Sequence, residues 1–266
     1  LWDMRTRTLL HVYEGHKGPV RGVQFHPDRP LFVTCGDDCL VILWSYTTHR
    51  EVCRFTGHLD YIRTVQFHPT EPWVITASDD RTIRVWNWMS RQCISLLAGH
   101  DYYVMSAYFH PNPTVQLVVS ASMDQTIRIW DVSPLKESGE GLVKFVVDGH
   151  QLGVNCAVFH PKLPLIASAS DDKTVRLWKY NDTRVWEVCT LRGHSNIVSS
   201  VCFVPSCDVL LSNSEDRTVK LWDVSKRVLL SSYRRERDRF WVSACHPNGV
   251  VLGCGHDTGL IVFKLQ

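Results

Sequence analysis

Tryptophan recurs along this chain at a nearly fixed interval. Trp2, Trp44 and Trp86 stand 42 residues apart, Trp130, Trp178 and Trp222 follow at steps of 44, 48 and 44, and Phe263 lies 41 further on. Gly-His pairs run in phase with them at Gly15-His16, Gly57-His58, Gly99-His100, Gly149-His150 and Gly193-His194. A period of this length means that each repeat is one supersecondary unit, which buries its apolar face only against its neighbours. Gly-His and Trp marks at about 40–45 residues are those of a β-propeller blade.

The unit from Gly57 to Trp86 shows why. Ile62-Arg63-Thr64-Val65-Gln66-Phe67 alternates apolar and polar residues, as a half-buried strand does. His68-Pro69 and Glu71-Pro72 interrupt it, and Trp73 to Ser78 reads as the second strand. Asp79-Asp80 supplies a tight turn, and Asp side chains cap such turns. Thr82 to Trp86, rich in β-branched residues, is the third strand, and Cys93 to Leu97 is the fourth. Four short antiparallel strands make one blade, so the fold class is all-β.

Thirteen histidines raise the question of metal. Five belong to Gly-His, and His26, His68, His110, His160 and His246 each precede Pro after a first strand, with His246 closing the set. Only His11, His49 and His256 fall outside both classes. The chain resembles WD-repeat proteins along essentially its whole length. In that family the Gly-His histidine bonds within its blade to a second-strand hydroxyl, the turn Asp and the third-strand Trp. By position the hydroxyls are Thr34, Thr76, Ser120, Ser168 and Ser212. The turn carboxylates, six before each Trp or its replacement, are Asp38, Asp80, Asp124, Asp172, Asp216 and Asp257. A His–Asp–hydroxyl set repeated five times is a fastener, because a catalytic triad needs one exposed nucleophile. The last repeat departs from the pattern, with Arg235-Glu236 in place of Gly-His and Phe263 in place of Trp.

Counting gives a fragment, residues 1–14, and six repeats over 15–266, all in one propeller domain. Leu1-Trp2-Asp3 reads as the tail of a third strand and Thr8 to Tyr13 as the fourth strand of that same blade. The alternative has Thr8 to Tyr13 closing the last blade of a six-bladed ring. The tail favours the first reading, a seven-bladed parent with most of its first blade absent from this chain. Ser133 to Gly141 is an enlarged polar connection that reads as a mobile loop.

Propellers bind ligands at the mouth of the channel. The residues just before the turn carboxylates face it: Asp37, Asp79, Met123, Asp171, Glu215 and His256. Four are acidic, which in a chain of formal charge +2 focuses the field for a basic ligand. Neighbouring loops bring Arg21, Asp60, Tyr61 and Tyr103. Carboxylates suit an ammonium, an arginine suits a carboxylate, and tyrosines pack on an alkyl stem. The predicted peptide-binding set is Arg21, Asp37, Asp60, Tyr61, Asp79 and Tyr103.

Longer runs carry a closer resemblance. Phe55-Thr56-Gly57-His58-Leu59-Asp60-Tyr61-Ile62-Arg63-Thr64-Val65, Ser78 to Trp88, Leu211 to Asp216, Arg234 to Val242 and Gly255 to Leu265 are similar to the alpha subunit of coatomer. The beta-prime subunit is the runner-up, and a generic interaction scaffold is the alternative. The resemblance implies a non-catalytic coat module that reads C-terminal dilysine signals, K-K-x-x or K-x-K-x-x, on cargo returning from the Golgi to the endoplasmic reticulum. It implies that Asp60 and Asp79 hold the lysine third from the cargo's end, with Asp37 nearby. Tyr61 and Tyr103 line the peptide path, and Arg21 helps grip the terminal carboxylate. The implied partners are dilysine-bearing cytosolic tails and, through the parent protein, the beta-prime and epsilon coatomer subunits. The implied location is the cytoplasm, Golgi membranes and COPI vesicles, with only indirect membrane contact.

Other classes find little support. No Gly-rich phosphate loop, metal cluster or unique nucleophile appears, and no cofactor is called for. The ten cysteines form no C-x-x-C pair and read as reduced thiols. No apolar run approaches the roughly 18 residues of a membrane span. No secretory signal is read, because Leu1-Trp2-Asp3 already lies inside a motif. Nucleic acid would need a basic stripe, whereas Arg234 to Arg239 is interspersed with acids.

Overall fold

The computed structural model describes the chain apart from residues 4, 137, 206, 247–250 and 265–266. Its described strands form six antiparallel sheets. The first contains β1 (Val20–Phe25), β2 (Leu31–Gly36), β3 (Val41–Ser45) and β4 (Arg50–Phe55). The second contains β5 (Ile62–Phe67), β6 (Trp73–Ser78), β7 (Thr82–Asn87) and β8 (Gln92–Ala98). The third contains β9 (Val104–Phe109), β10 (Leu117–Ser122), β11 (Ile127–Asp131) and β12 (Leu142–Val147). The fourth contains β13 (Val154–Phe159), β14 (Leu165–Ser170), β15 (Val175–Tyr180) and β16 (Val185–Leu191). The fifth contains β17 (Val198–Phe203), β18 (Val209–Ser214), β19 (Thr218–Asp223) and β20 (Val228–Arg234). The sixth has three strands, β21 (Phe240–Cys245), β22 (Val251–His256) and β23 (Gly259–Lys264). In every sheet the strands pair in chain order, the meander of a propeller blade.

The five Gly-His sets are fasteners. His58 Nδ1 lies 2.7 Å from Asp80, its Nε2 lies 2.7 Å from Thr76 Oγ1, and Trp86 Nε1 donates to the same hydroxyl at 2.9 Å. His16, His100, His150 and His194 repeat this with Thr34, Ser120, Ser168 and Ser212. Neutral imidazole donating from Nδ1 and accepting at Nε2 satisfies the buried set. The glycine before each His lets the chain pass over the indole: at Gly149 a Cβ would lie 2.7 Å from Trp178. Burial pushes Asp172 up, but bonds from Thr174 and His150 outweigh it and bring its carboxyl down to about 2.

Neighbouring sheets are joined through their first strands, from β1 against β5 through to β17 against β21. Side chains span these seams: Gln24 Oε1 accepts from Phe67 N at 2.5 Å, and Gln66 Oε1 from Phe109 N at 2.7 Å. Among the described residues no comparable packing joins the sixth sheet to the first. Exposure shows the consequence. Val23 and Phe25 of β1 are 61% and 52% exposed, whereas Val65 and Phe67, at the same places in β5, are 5% and 3%. Leu260 and Val262 of β23 are exposed where Val41 and Leu43 of β3 are fully buried. The arc of six sheets therefore presents an uncovered apolar face at each end.

The first residues reproduce the hairpin between a third and a fourth strand. Trp2 bridges Leu9, a step of seven that recurs in Trp44–Glu51, Trp86–Cys93 and Trp222–Leu229. Arg7 takes positive φ, as do His49, Arg91 and Arg227 five residues after their Trp. Residues 8–11 therefore bond to residues 1–3, and residues 8–13 form no fourth strand on β23. The enlarged connection after β11 is less free than its composition predicts. Ser133–Lys136 forms a 3-10 turn whose Leu135 is buried in the core beside Leu97 and Trp130. Leu265, at the end of the C-terminal run, lies outside the described residues.

Candidate functional site

The rim is built from a β-bulge and a turn in each sheet. In β5, Ile62 pairs with Ser78 and Thr64 with Ala77, so Arg63 is the extra residue. The same shift isolates Arg21 in β1, Asn155 in β13, Ser199 in β17 and Trp241 in β21. A bulge re-aims the side chain of its extra residue; Arg21, Arg63, Asn155 and Trp241 each reach the residue that opens the second-to-third-strand turn, whereas Ser199 bonds to Asn213 O and Phe240 O. Arg21 donates to both oxygens of Asp37, from Nε at 2.7 Å and Nη2 at 2.6 Å. Arg63 donates to both oxygens of Asp79, from Nε at 2.8 Å and from Nη2. Asn155 donates to Asp171 at 2.7 Å. The loop before each bulge is pinned to the turn by backbone bonds, Asp37 N to Pro19 O, Asp79 N to Tyr61 O and Met123 N to Tyr103 O, each at 2.9 Å.

The six predicted residues lie on this rim, and their charges reach one another. Arg21 feels Asp79 and Tyr61, and Asp37 feels Arg63. Tyr103 stacks on Tyr102 with centroids 4.3 Å apart; its hydroxyl is pushed up by a bond with Tyr102, with smaller effects from Asp79 and Asp60. The Arg21 bond holds the Asp37 carboxyl below its ordinary range against the opposing effect of burial. Arg21 is raised in turn by Asp37, and Arg63 by Asp79.

The sequence reading missed Arg63. It stands 42 residues after Arg21, in the same phase, so the signal was available. Its guanidinium also lies 5.9 Å from the Tyr61 ring. The pairing changes what the carboxylates offer. The Asp79 side chain is only 4% exposed, and both its oxygens are taken by Arg63. Asp60 differs: one oxygen accepts from Tyr61 N at 2.8 Å, and among the described residues no cation pairs with it. Two arginines against three carboxylates leave the group Arg21, Arg63, Asp37, Asp60 and Asp79 with one negative charge, centred on Asp60.

The sixth sheet corrects two assignments. The β22–β23 turn has two residues, with His256 opposite Gly259, where the other turns have three. Counting back six from Phe263 therefore slips by one place. Asp257 takes the rim position and accepts from Trp241 Nε1 at 2.8 Å and Arg239 N at 2.7 Å. His256 turns inward, 3.3 Å from Asp238, and is not a rim ligand. Arg239 reaches Glu215 and Asp257 and stacks on Trp241, so the rim continues into this sheet.

Residues 7–45, 49–87, 91–131, 141–179 and 186–223 match the WD domain, G-beta repeat family, and the chain belongs to that family. The matched segments stop short of the sixth sheet. Among curated proteins, 127 residues, 48% of the chain, are 55% identical to coatomer subunit alpha-1 of Arabidopsis thaliana and cover 10% of that protein. The same length is 55% identical to coatomer subunit alpha-3 of Oryza sativa subsp. japonica, again 10% of it. Coatomer subunit alpha of Saccharomyces cerevisiae is 51% identical over 128 residues, 48% of this chain and 11% of that protein. The matched stretch thus spans about a tenth of the length of these relatives. Among the described residues no helix is long and apolar enough to cross a membrane, and no group of three or more His, Cys, Asp or Glu is placed to hold a metal ion.

Proposed function

We propose that residues 1–266 form a propeller domain of a vesicle-coat subunit, without catalytic activity, that reads C-terminal dilysine signals on membrane cargo for Golgi-to-ER return. The observation that carries this reading is the rim charge. Asp60, with which no cation pairs among the described residues, is a carboxylate beside Tyr61 on the rim that carries the two Arg–Asp pairs, within the half of the chain most like coatomer alpha. A cargo lysine binds Asp60 first and shares the buried Asp79 with Arg63. Tyr61 and Tyr103 flank its alkyl stem. Arg21 keeps its remaining amide-like N–H edge for the terminal carboxylate while it stays bound to Asp37. Partly exposed ion pairs contribute about 0.2–1 kcal/mol each. A few of them, less the cost of ordering a tail, give an affinity on the order of micromolar. By the same resemblance the coat lies on Golgi vesicles, peripheral to the membrane, with other coatomer subunits as partners.

Titration of a dilysine-ended peptide with a free carboxylate tests this. Binding should weaken about tenfold or more in Asp60→Ala and Asp79→Ala and on amidation of the peptide. Equal binding in all cases sinks the reading. A second reading, a scaffold holding a folded partner on its flank, is favoured by β20, where Val228, Leu229, Leu230 and Tyr233 are all exposed. Loss of partner binding on changing β20, with the rim irrelevant, would favour it.

A further inference from the structure

The seams between neighbouring first strands share one register. The fifth residue of one first strand meets the sixth residue of the next: Gln24 meets Phe67, and Gln66 meets Phe109. At the fifth seam the corresponding places hold two thiols. Cys202 Sγ of β17 lies 3.1 Å from Cys245 Sγ of β21, the one close sulfur pair among the described residues. The strands on either side are held in register. Ser200 and Ser243 hydroxyls are 3.1 Å apart, and Ser199 Oγ donates to Phe240 O at 2.7 Å. Both cysteines are half-buried, so a small oxidant reaches them while a protein does not. The seam also matters mechanically. The sixth sheet has three strands and an uncovered far face, so among the described residues this seam is its packed attachment to the rest of the arc.

We propose that Cys202 and Cys245 form an oxidisable dithiol that closes to a disulfide across this seam and fastens the last sheet covalently. With a peroxide as oxidant, two thiols and one hydrogen peroxide give one disulfide and two waters. One sulfur attacks a peroxide oxygen and becomes a sulfenic acid, releasing the first water. The second sulfur then attacks that sulfenic sulfur, the S–S bond forms, and the hydroxyl leaves with the second thiol proton as water. Two electrons pass from the sulfur pair to the O–O bond. The bond to Cys245 and burial hold the Cys202 thiol well above its ordinary range, so closure answers sustained oxidation. Cys254 is fully buried in the same sheet and Cys93 and Cys207 are exposed elsewhere, which supplies internal comparisons.

The test is peroxide treatment of the whole chain followed by non-reducing peptide mapping and intact mass. The expected result is loss of two hydrogens, a joined Cys202–Cys245 peptide reversed by dithiothreitol, and joint loss of alkylation at these two residues. Oxidation at the exposed Cys93 and Cys207 should appear as added oxygen and not as a joined peptide. Cys202→Ser and Cys245→Ser, each checked for folding by circular dichroism, should both abolish the loss of two hydrogens. Oxidation should also slow proteolysis of the sixth sheet severalfold. A joined peptide that involves Cys254 or an exposed cysteine overturns the proposal, as does full alkylation of Cys202 after treatment. Proteolysis at an unchanged rate overturns the fastening.

Discussion

The second and sixth sheets follow the same path and are fastened differently. In the second, Trp86, Thr76, His58 and Asp80 form one buried set in which the shared hydroxyl and both imidazole nitrogens are paired. In the sixth, Phe263 has no N–H, Cys254 stands where Thr76 would, and Arg235-Glu236 takes the place of the Gly-His pair that precedes a first strand. A substitute is built around Asp238. It accepts from Arg235 Nε at 2.8 Å and Thr258 Oγ1 at 3.1 Å, and His256 is 3.3 Å away. The difference teaches that the Trp period marks a hydrogen-bonded unit as well as apolar bulk. Once the indole N–H is gone, the hydroxyl and the histidine lose their purpose together.

The largest expected effect breaks this comparison at the aromatic position. Trp86 is 3% exposed, and Trp86→Ala should cost about 3–5 kcal/mol through the cavity and the orphaned Thr76 and His58. Phe263 is half-buried, and Phe263→Ala should cost less than half as much. Denaturant unfolding of both variants measures the gap, and equal costs would show that the sixth sheet is fastened as firmly as the second. Next comes the hydroxyl. Thr76→Val keeps the shape and leaves Trp86 Nε1 and His58 Nε2 without partners, at about 1–3 kcal/mol for each orphaned group. Cys254→Ser adds a hydroxyl where neither partner waits, and it should not stabilise.

Acid sharpens the same contrast. Asp80, Asp124, Asp172 and Asp216 all sit below the ordinary carboxyl value: burial raises them, but bonds from their His and Thr partners lower them further. A group depressed in the folded state contributes stability that is present above its unfolded value of 3.8. For Asp172 that stability is lost as pH falls through about 2, and for the others lower still. Burial also lowers His110, His150 and His160. The unfolded chain then binds more protons, so stability begins to fall once pH drops below 6.5. Unfolding midpoints should therefore decline in two stages, first below 6.5 and then below 3.8. In Asp172→Asn the second stage should shrink, and an unchanged second stage would mean that the fasteners do not set acid stability.

Much of this was legible because a fastener is local to its repeat. His, hydroxyl, Asp and Trp sit at fixed offsets, so phase, read with the WD-repeat resemblance that implies the bonding, assigned five complete sets. Phase failed where length changed: one residue fewer in the β22–β23 turn exchanged the roles of His256 and Asp257. The bulges were illegible, because an extra residue in a strand shows only in the pairing register. Arg63 was therefore read as an ordinary strand residue while Asp79 was assigned to a ligand. The Cys202–Cys245 contact joins residues of different repeats, and offsets within one repeat carry no information about it.

The smallest expected effect compares the two arginine pairs of the rim. Arg21 is 42% exposed over an Asp37 that is 11% exposed, whereas Arg63 is 25% exposed over an Asp79 that is 4% exposed. Both pairs have the same bidentate geometry, so any difference comes from what each arginine leaves behind. Arg21→Ala frees a carboxylate that water can reach, and it should cost about 0.2–1 kcal/mol. Arg63→Ala leaves Asp79 charged and nearly enclosed, and it should cost about 1–3 kcal/mol by the penalty for an unsatisfied buried group. Dilysine peptide binding should respond in the opposite sense at the second pair: without Arg63, Asp79 is open to the ligand's ammonium, and affinity should rise a few-fold. Titration of the two variants beside their unfolding curves measures both. If Arg63→Ala weakens binding, the arginine serves to orient Asp79 and does not compete with cargo for it.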